Sequence, residues 1–295
     1  MNQAGMRLRE LLQRDEALVL PGVYDALTAK LAQAAGFEAL VMGGYSIAAS
    51  RLGEPDVGYL SMTEMTEALR VIARATPLPV IADGDTGYGN ALSVHRTVQE
   101  YEHGGAAGVL FEDQVWPKRC GHMQGKQVID AAEHASKIRA AVEGRQHPET
   151  LILARTDARA VLGLEAAIER GKRYLDAGAE ALFIEAPQTV AELEAIGKAF
   201  PGIVLVANMI EGGKTPYLSP VALKQIGFSI VFWPCTLLYA AGKCFSQVLS
   251  ALREQGSTAG VAEQLWSFEQ FNQFIGLADY VQMEARYKVD GGEEK

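Results

Sequence analysis

In Val80-Ile-Ala-Asp-Gly-Asp-Thr-Gly87 a short apolar run leads into a turn rich in acidic residues and glycine, and this pattern indicates the fold. The apolar part is continuous rather than alternating, which is typical of a strand buried on both faces. An amphipathic stretch over residues 91–103 follows it. A buried strand, a polar turn and a helix form the repeating unit of a parallel α/β fold.

The same unit recurs along the chain, with further amphipathic stretches at Asp25–Ala35, Ser61–Ala75, Ala131–Glu143 and Leu164–Ala177. Eight strands alternating with helices predict a closed (β/α)8 (TIM) barrel of the α/β class. No linker or low-complexity segment divides residues 1–295, so we expect a single domain. The other seven apolar runs are Ala17–Pro21, Ala39–Met42, Gly108–Phe111, Leu151–Ala154, Ala181–Ile184, Ile203–Val206 and Ile230–Trp233.

About 60 residues follow the eighth strand, and Thr236–Arg253 and Val261–Tyr287 both read as helices. The second carries a stripe of aromatic residues, which usually means burial. Since the segment lies outside a closed barrel, residues 255–290 are predicted to pack against another subunit, and packing within the same subunit is the alternative. The stripe consists of Trp266, Phe268, Phe271, Phe274 and Tyr280.

Composition excludes several classes of partner. The formal net charge of −9 at pH 7 argues against nucleic acid or an anionic membrane. No apolar run approaches the ~20 residues that cross a bilayer. Three cysteines are too few and too scattered for a disulfide framework, so we expect a cytoplasmic protein. Four histidines are expected on the surface: His95, His103, His134 and His147.

Polar residues stand directly after five consecutive strands. In barrels of this kind the catalytic residues lie at the carboxyl ends of the strands. The shared position of these polar residues therefore indicates a functional site. We therefore expect one site there, built from Asp83, Asp85, Glu112, Arg155, Glu185 and Asn208.

Asp83, Asp85 and Glu112 suit Mg²⁺ or Mn²⁺, hard cations that prefer oxygen ligands. Period two places Asp83 and Asp85 on the same side of an extended segment, so both can approach one ion. The alternative is that these acids only cap the next helix. Whether Asp113 joins the site stays open, because its side chain can point away from that of Glu112.

Arg155 can clamp a substrate carboxylate, because its planar guanidinium matches that group in two parallel hydrogen bonds. A structural ion pair with Glu185 or Glu112 is the alternative, and both roles can hold at once.

The stretch Trp116-Pro-Lys-Arg-Cys-Gly-His122 contains a thiol between cations. Cysteine is more often a small core residue, but this stretch is polar and is broken by Pro117 and Gly121. We therefore predict a mobile loop over the barrel mouth, with Cys120 held near ionisation and able to exchange a proton. Cys235 and Cys244 lie in an apolar helix start and are interpreted as packing residues.

Together these motifs resemble the isocitrate lyase / phosphoenolpyruvate mutase superfamily over about residues 5 to 290. The Lys-Arg-Cys-Gly-His loop resembles the lyase branch, which acts on 2,3-dimethylmalate, methylisocitrate or oxaloacetate. The resemblance rests on Leu52–Asp56, Asp83–Gly89, Phe111–Gln114, Lys118–His122, Ala154–Asp157 and Glu185-Ala186.

The resemblance implies a homotetrameric barrel whose last helix is swapped between subunits, with Mg²⁺ held by Asp83, Asp85 and Glu112. It implies a gating loop that carries Cys120, with Lys118 and His122 also catalytic and Gly121 and His122 close to the substrate. Glu185 and Arg155 are implied as further catalytic residues. The implied substrate-binding residues are Gly43, Gly44, Tyr45, Asp56, Arg155 and Asn208.

One departure bears on the substrate. Methylisocitrate lyases carry an arginine for the third carboxylate after strand eight, where this chain has Trp233-Pro-Cys-Thr-Leu-Leu-Tyr239. An unpaired carboxylate against Leu237, Leu238 and Tyr239 would be costly, so a dicarboxylate with small alkyl groups is favoured over a tricarboxylate.

The leading hypothesis is Mg²⁺-dependent cleavage of a 2-hydroxy dicarboxylate to a 2-oxo acid, with Cys120 as the general acid. Oxaloacetate hydrolysis and methylisocitrate cleavage are the alternatives within the superfamily. A barrel that binds a dicarboxylate without turnover is the alternative of a different class, and it has no use for a proton donor on a loop.

Overall fold

The structure is a computed structural model that describes residues 1–121 and 125–288. It confirms the predicted barrel: eight parallel strands form one sheet in the order β1-β8-β7-β6-β5-β4-β3-β2. The strands are β1 Leu18–Pro21, β2 Leu40–Met42, β3 Val80–Asp83, β4 Gly108–Glu112, β5 Leu151–Thr156, β6 Ala181–Ile184, β7 Val204–Asn208 and β8 Phe228–Trp233.

The seam between β1 and β2 is closed by a short contact rather than a full ladder. Gly22 forms a parallel bridge with Val41, and the amide of Val23 donates to the carbonyl of Val41 at 2.9 Å. Gly22 has to be glycine here, because a Cβ at this position would collide with the backbone of Pro234.

Helices follow the strands, and six of the seven predicted from sequence are confirmed as α2, α4, α5, α6, α8 and α11. Asp25 and Ser61 form capping boxes at the starts of α2 and α4. The helices are α1 Gln3–Leu12, α2 Ala26–Ala34, α3 Gly44–Leu52, α4 Met62–Ala75, α5 Ala91–Gly104, α6 Ala131–Gly144, α7 Ala158–Leu162, α8 Leu164–Asp176, α9 Val190–Ala199, α10 Pro220–Gln225, α11 Thr236–Gln255, α12 Phe268–Phe274 and α13 Leu277–Tyr287.

Helix α1, which the sequence analysis did not predict, closes the amino-terminal end of the barrel. Its Leu8 and Leu11 are buried in one cluster with residues from inside the barrel. The Asn2 side chain caps α1 and donates to the carbonyl of Ala106 at 2.7 Å. With this end plugged, the opposite end remains for a binding site.

The chain divides into two compact units, and the second begins at Tyr239. The prediction of one helix over Val261–Tyr287 is wrong: a short 3₁₀ helix, Ala259–Gln264, precedes α12 and α13, and Gly276 in the left-handed region separates those two. Many large apolar side chains of this unit are exposed, and Phe268 is 87% exposed. Within the described residues, no helix is both long and apolar enough to cross a membrane.

His134 is fully buried in α6, so its predicted surface position is wrong. Its ring packs edge-on against the ring of Tyr174, with 4.6 Å between the two ring centres. Neither imidazole nitrogen has a hydrogen-bond partner of ordinary geometry among the described residues. Burial, followed by the positive charges of Lys137 and Arg170, lowers the pKa of His134 to about 3. The imidazole is therefore neutral in the folded protein.

This burial predicts a loss of stability in acid. The unfolded imidazole takes up a proton near pH 6.5 and the folded one only near pH 3, so protonation favours the unfolded state as pH falls through that window. At pH 5 the expected loss in the free energy of unfolding is about 2 kcal/mol relative to pH 7. Urea unfolding of wild type and His134→Phe at both pH values isolates this contribution, and equal pH dependence in the two proteins would contradict it.

Candidate active site

A cavity at the carboxyl ends of the strands brings most of the predicted site residues together. It lies opposite α1, and its wall is formed by strand ends, by the start of α3 and by a loop after β4. His122 lies outside the described residues. The predicted residues that line the cavity are Gly43, Gly44, Tyr45, Asp56, Asp83, Glu112, Lys118, Cys120, Gly121, Arg155, Glu185 and Asn208.

Asp83 and Asp85 do converge, but not because the segment is extended. The strand ends at Asp83 and the chain turns, with Asp85 in the left-handed region at φ 48°. The amide of Asp85 donates to Asp83 Oδ1 at 3.0 Å, and the amide of Gly44 donates to Asp83 Oδ2 at 3.0 Å. A turn and the start of α3 therefore hold the two acids together.

Two tyrosines fix this turn from behind. The hydroxyl of Tyr101 donates to the carbonyl of Asp83 at 2.9 Å and lies 2.9 Å from the hydroxyl of Tyr88. Tyr88 can donate to Asp85 Oδ2 at 3.2 Å. Tyr101 is fully buried and Tyr88 is half-buried. Desolvation raises the pKa of each phenol well above its usual value, so both act as neutral hydrogen-bonding groups.

Lys118 reaches from the loop into the acidic cluster. Its Nζ lies 2.7 Å from Asp56 Oδ2 and 2.6 Å from Asp85 Oδ1, and its side chain is 3% exposed. Burial opposes the charge, but Asp85, Asp56 and Glu112 outweigh it and raise the pKa of Lys118 well above its usual value. The loop is thus tied to the strand ends by a buried ammonium group.

Arg155 forms the structural ion pairs that the sequence analysis offered as an alternative. Its Nη2 lies 3.1 Å from Glu185 Oε2, and its Nε lies 3.3 Å from Glu112 Oε2 and 3.0 Å from Asp157 Oδ2. Because Arg155 also lines the cavity, the ion pairs leave it in position to face a ligand. Asn208 Nδ2 lies 3.3 Å from Glu185 Oε2, which extends the network to β7.

Asp113 turns away from the cavity and serves as a structural anchor. It accepts hydrogen bonds from Thr156 Oγ1 at 2.7 Å, the amide of Asp157 at 2.9 Å, Tyr174 at 2.8 Å and Arg170 at 2.9 Å. With its oxygens occupied by these four donors, Asp113 fixes the end of β5 from behind instead of joining the acids that face the cavity.

The site is rich in carboxylates. Six of them cluster with the cations of Lys118, Lys126 and Arg155, and five of the six form ion pairs with one of these cations. Burial raises the pKa of Asp85 to about 7 and raises that of Glu112. The carboxylates are Asp56, Asp83, Asp85, Glu112, Asp157 and Glu185.

These donors fit a divalent cation. Glu112 Oε1 is buried and has no hydrogen-bond partner among the described residues, so it presents a bare oxygen. No three acidic, His or Cys side chains in residues 1–121 and 125–288 are close enough to hold an ion by themselves. Carboxylate oxygens such as Glu112 Oε1 are the ligand type that Mg²⁺ prefers, and Mg²⁺ commonly keeps several waters and uses few protein ligands.

The loop carrying Cys120 is anchored at its base. The amide of Val115 donates to the carbonyl of Gln127 at 2.9 Å, and Gln114 bridges Val128 in antiparallel fashion. The Gln114 side chain binds the backbone of Arg119 on both sides, at 2.8 and 3.0 Å. The amide of Cys120 donates to the carbonyl of Asp56 at 3.3 Å, and Cys120 is half-buried in the cavity wall.

The apolar wall of the cavity differs from the one expected. It includes Ile210, Phe232, Pro234 and Cys235, whereas Leu237, Leu238 and Tyr239 are not part of it. Cys235 was interpreted as a packing residue, although it lies two residues after β8 and so near a strand end like the acids. That position could have indicated that Cys235 lines the site.

The fold and the acidic strand ends define a barrel enzyme of the isocitrate lyase / phosphoenolpyruvate mutase superfamily, as the motifs predicted. The family model described as phosphoenolpyruvate phosphomutase matches residues 8–253, and the chain belongs to this family. Within the superfamily the chain is a carbon–carbon lyase, as its curated relatives indicate.

The chain is 45% identical to a 2,3-dimethylmalate lyase of Eubacterium barkeri, over 97% of this chain and 99% of the relative. It is 40% identical to a 2-methylisocitrate lyase of Aeropyrum pernix, over 97% and 91%. Among solved structures, an oxaloacetate acetylhydrolase bound to 3,3-difluorooxalacetate matches with a TM-score of 0.91 and 34% identity, over 98% of this chain and 99% of that one. A phosphonopyruvate hydrolase with oxalate and Mg²⁺ matches with a TM-score of 0.86 and 31% identity, over 96% and 99%.

Proposed function

We propose that this enzyme cleaves the C2–C3 bond of a 2-hydroxy dicarboxylate of the 2,3-dimethylmalate type, giving a 2-oxo acid such as pyruvate and a second carboxylate. One observation carries the proposal: Cys120 and Lys118 line the same cavity as Asp83, Glu112 and Arg155. A proton donor, a buried cation and a set of hard oxygen ligands around one cavity are what this cleavage requires.

Asp83, Asp85 and Glu112 would hold Mg²⁺, or Mn²⁺ in its place. When bound, the cation supplies positive charge that lowers the pKa of the substrate hydroxyl and stabilises developing negative charge on oxygen. Tyr88 and Tyr101 hold the turn that presents Asp83 and Asp85.

The chain's own residues carry the remaining steps. Loss of the hydroxyl proton lets the C2–C3 electron pair move onto the departing fragment as a carboxylate enolate. Cys120 then donates its thiol proton to the enolate carbon, and Lys118 and His122 complete the catalytic loop. Placed over the cavity, the loop keeps water from the carbanion.

Substrate recognition falls to two ends of the cavity. Gly43, Gly44 and Tyr45 would form the pocket for one carboxylate at the start of α3, where a helix favours negative charge. The amides of Gly43 and Tyr45 would bind it, since the Gly44 amide already donates to Asp83 Oδ2. Arg155 and Asn208 would bind the second, and Glu185, which contacts both side chains, would orient them. Part of the remaining wall is apolar at Ile210, Phe232 and Pro234, and such a surface suits methyl groups better than a third carboxylate.

Oxaloacetate hydrolysis is the second candidate, supported by the 34% identity with oxaloacetate acetylhydrolase over 98% of this chain. The hydrated ketone of oxaloacetate would take the place of the 2-hydroxy group, and the same bond would break to give oxalate and acetate.

The purified protein should be assayed with 2,3-dimethylmalate, oxaloacetate and 2-methylisocitrate, with Mg²⁺ and with EDTA. We expect the highest kcat/KM with 2,3-dimethylmalate and its loss in EDTA. If kcat/KM is highest for oxaloacetate, the second candidate is correct. If kcat/KM is highest for 2-methylisocitrate, the apolar wall does not disfavour a third carboxylate as proposed. Ligand binding without turnover would favour a non-catalytic barrel.

Gly44 offers a test of the acidic cluster. A Cβ there would lie 3.1 Å from Lys118 Nζ, 3.2 Å from Asp85 Oδ1 and 3.4 Å from Asp83 Oδ2, whereas one at Gly43 would meet nothing within 4 Å. We expect Gly44→Ala to weaken Mg²⁺ binding about tenfold, because small displacements of ligating groups are costly. Isothermal titration calorimetry with Mg²⁺ measures the effect. Equal weakening in Gly43→Ala would contradict this explanation.

We also infer a cytoplasmic homotetramer, in which the helices after α11 contact neighbouring subunits. Exposed Phe268, Tyr280 and Tyr287 support this inference, since such residues are unfavourable in water. Light scattering on the eluting peak of a sizing column measures the mass, and a monomer would contradict it.

A further inference from the structure

Lys126 is a charged residue of the loop that the sequence analysis did not select and that the mechanism above does not use. It is buried, with its side chain 1% exposed. Its Nζ donates to the carbonyl of Gly121 in a short hydrogen bond and lies 2.6 Å from Asp157 Oδ1. A buried ammonium thus joins the residue after Cys120 to the end of the β5 strand.

The Asp157 end of this link is rigid. Its amide donates to Asp113 Oδ1 at 2.9 Å, and Arg155 Nε binds its Oδ2 at 3.0 Å. Arg155 also pairs with Asp157, but Arg155 is shared with Glu112 and Glu185, so Lys126 contributes to neutralising Asp157. Besides this charge, Lys126 provides the bond to Gly121.

At its other end the link reaches Gly121, which lies against the ion pair of Arg155 and Glu185. A Cβ at Gly121 would lie 2.6 Å from Glu185 Oε2 and would collide with Arg155. On the other side of Cys120, Lys118 is held by Asp56 and Asp85. Cys120 is therefore fixed between two buried lysine contacts that reach opposite parts of the cavity wall.

We propose that Lys126 is a positioning residue that holds Gly121, and through it the thiol of Cys120, at the cavity. The proposal rests on the proposed function, since Cys120 must reach a carbanion formed beside Arg155. The test therefore includes a readout that does not depend on turnover.

The test compares Lys126→Met and Lys126→Arg with wild type. The first readout is the rate at which iodoacetamide alkylates Cys120, followed by mass spectrometry of its peptide in the presence of Mg²⁺ and oxalate. We expect about tenfold faster alkylation in Lys126→Met and a tenfold or greater fall in kcat with a smaller change in KM, because a misplaced proton donor affects the chemical step. Lys126→Arg should be alkylated more slowly than Lys126→Met and should have a higher kcat, because it keeps the positive charge.

Lys137→Met is the matched control, since Lys137 is also buried and donates to a backbone carbonyl, that of Thr86, at 3.1 Å. It should leave the alkylation rate unchanged. Asp157→Asn should accelerate alkylation, and the double variant with Lys126→Met should add little to the faster single variant.

Unchanged alkylation in a folded Lys126→Met protein would overturn the proposal, as would equal acceleration in Lys137→Met. If Lys126→Met does not fold, unchanged alkylation in both Lys126→Arg and Asp157→Asn would overturn it. If no substrate is turned over yet alkylation of Lys126→Met accelerates as expected, the positioning role stands and the proposed function fails.

Discussion

Cys120→Ala is expected to lower kcat for the preferred substrate by ~10²–10⁴-fold, the range that a positioned general acid contributes. The thiol is the proton donor proposed for the enolate, and it lines the cavity beside Arg155 and Lys118. Cys120→Ser should be nearly as slow, because a hydroxyl is a far weaker acid than a thiol. Stopped-flow or coupled detection of the 2-oxo acid measures the loss.

The control for this prediction is Cys244→Ala, which makes the same change at a cysteine of α11 that does not line the cavity. It should keep wild-type turnover. Binding of oxalate should change little in Cys120→Ala, because the thiol acts in proton transfer and not in holding the carboxylates. Full turnover by either Cys120 variant would rule out the general-acid role.

Glu112→Gln is expected to lower kcat/KM by ~10²-fold or more at limiting Mg²⁺, because it removes one charged oxygen ligand of the proposed ion. In EDTA the variant should be about as stable as wild type, since burial raises the pKa of Glu112 and disfavours its charged form without the cation. The rise in Tm that Mg²⁺ gives the wild type should be lost. Differential scanning fluorimetry with and without Mg²⁺ measures both.

Glu102→Gln provides a matched control at a second buried glutamate. Glu102 binds the amides of Gln146 and His147 and the hydroxyl of Thr150, at the amino-terminal side of β5. This variant should lose stability but keep the wild-type response to Mg²⁺. If both variants respond to Mg²⁺ like wild type, Glu112 is not a ligand.

Local patterns were sufficient for the barrel. A strand buried on both faces has to be a continuous apolar run, and parallel strands need helical crossovers, so the alternation of the two appears directly in the sequence. The caps at Asp25 and Ser61 and the acids after β3 and β4 are local for the same reason. The helix break at Gly276 was not predicted, because the aromatic stripe continues across it and does not indicate where one helix ends and the next begins.

Sequence alone could not predict the placement of a side chain that can point in either of two directions, and there the tertiary structure was needed. Asp113 and Glu112 are neighbours, yet one binds Arg170 and Tyr174 behind the strand and the other faces the cavity. Lys126 carries no pattern that separates it from a surface lysine, and only its contacts with Gly121 and Asp157 distinguish it. His134 reads as a surface residue for a similar reason, since burial depends on which helices pack around it.

The fold class, the acidic strand ends and the thiol on its loop could be predicted from local sequence, because each depends on residues that lie close together along the chain. Three features became visible only in the folded chain: Asp85 reaches Asp83 through a left-handed turn, Lys118 joins Asp56 to Asp85, and Ile210 and Pro234 form part of the apolar wall. Charge pairing and cavity shape depend on distances between residues far apart in sequence, and those distances are set by closure of the barrel.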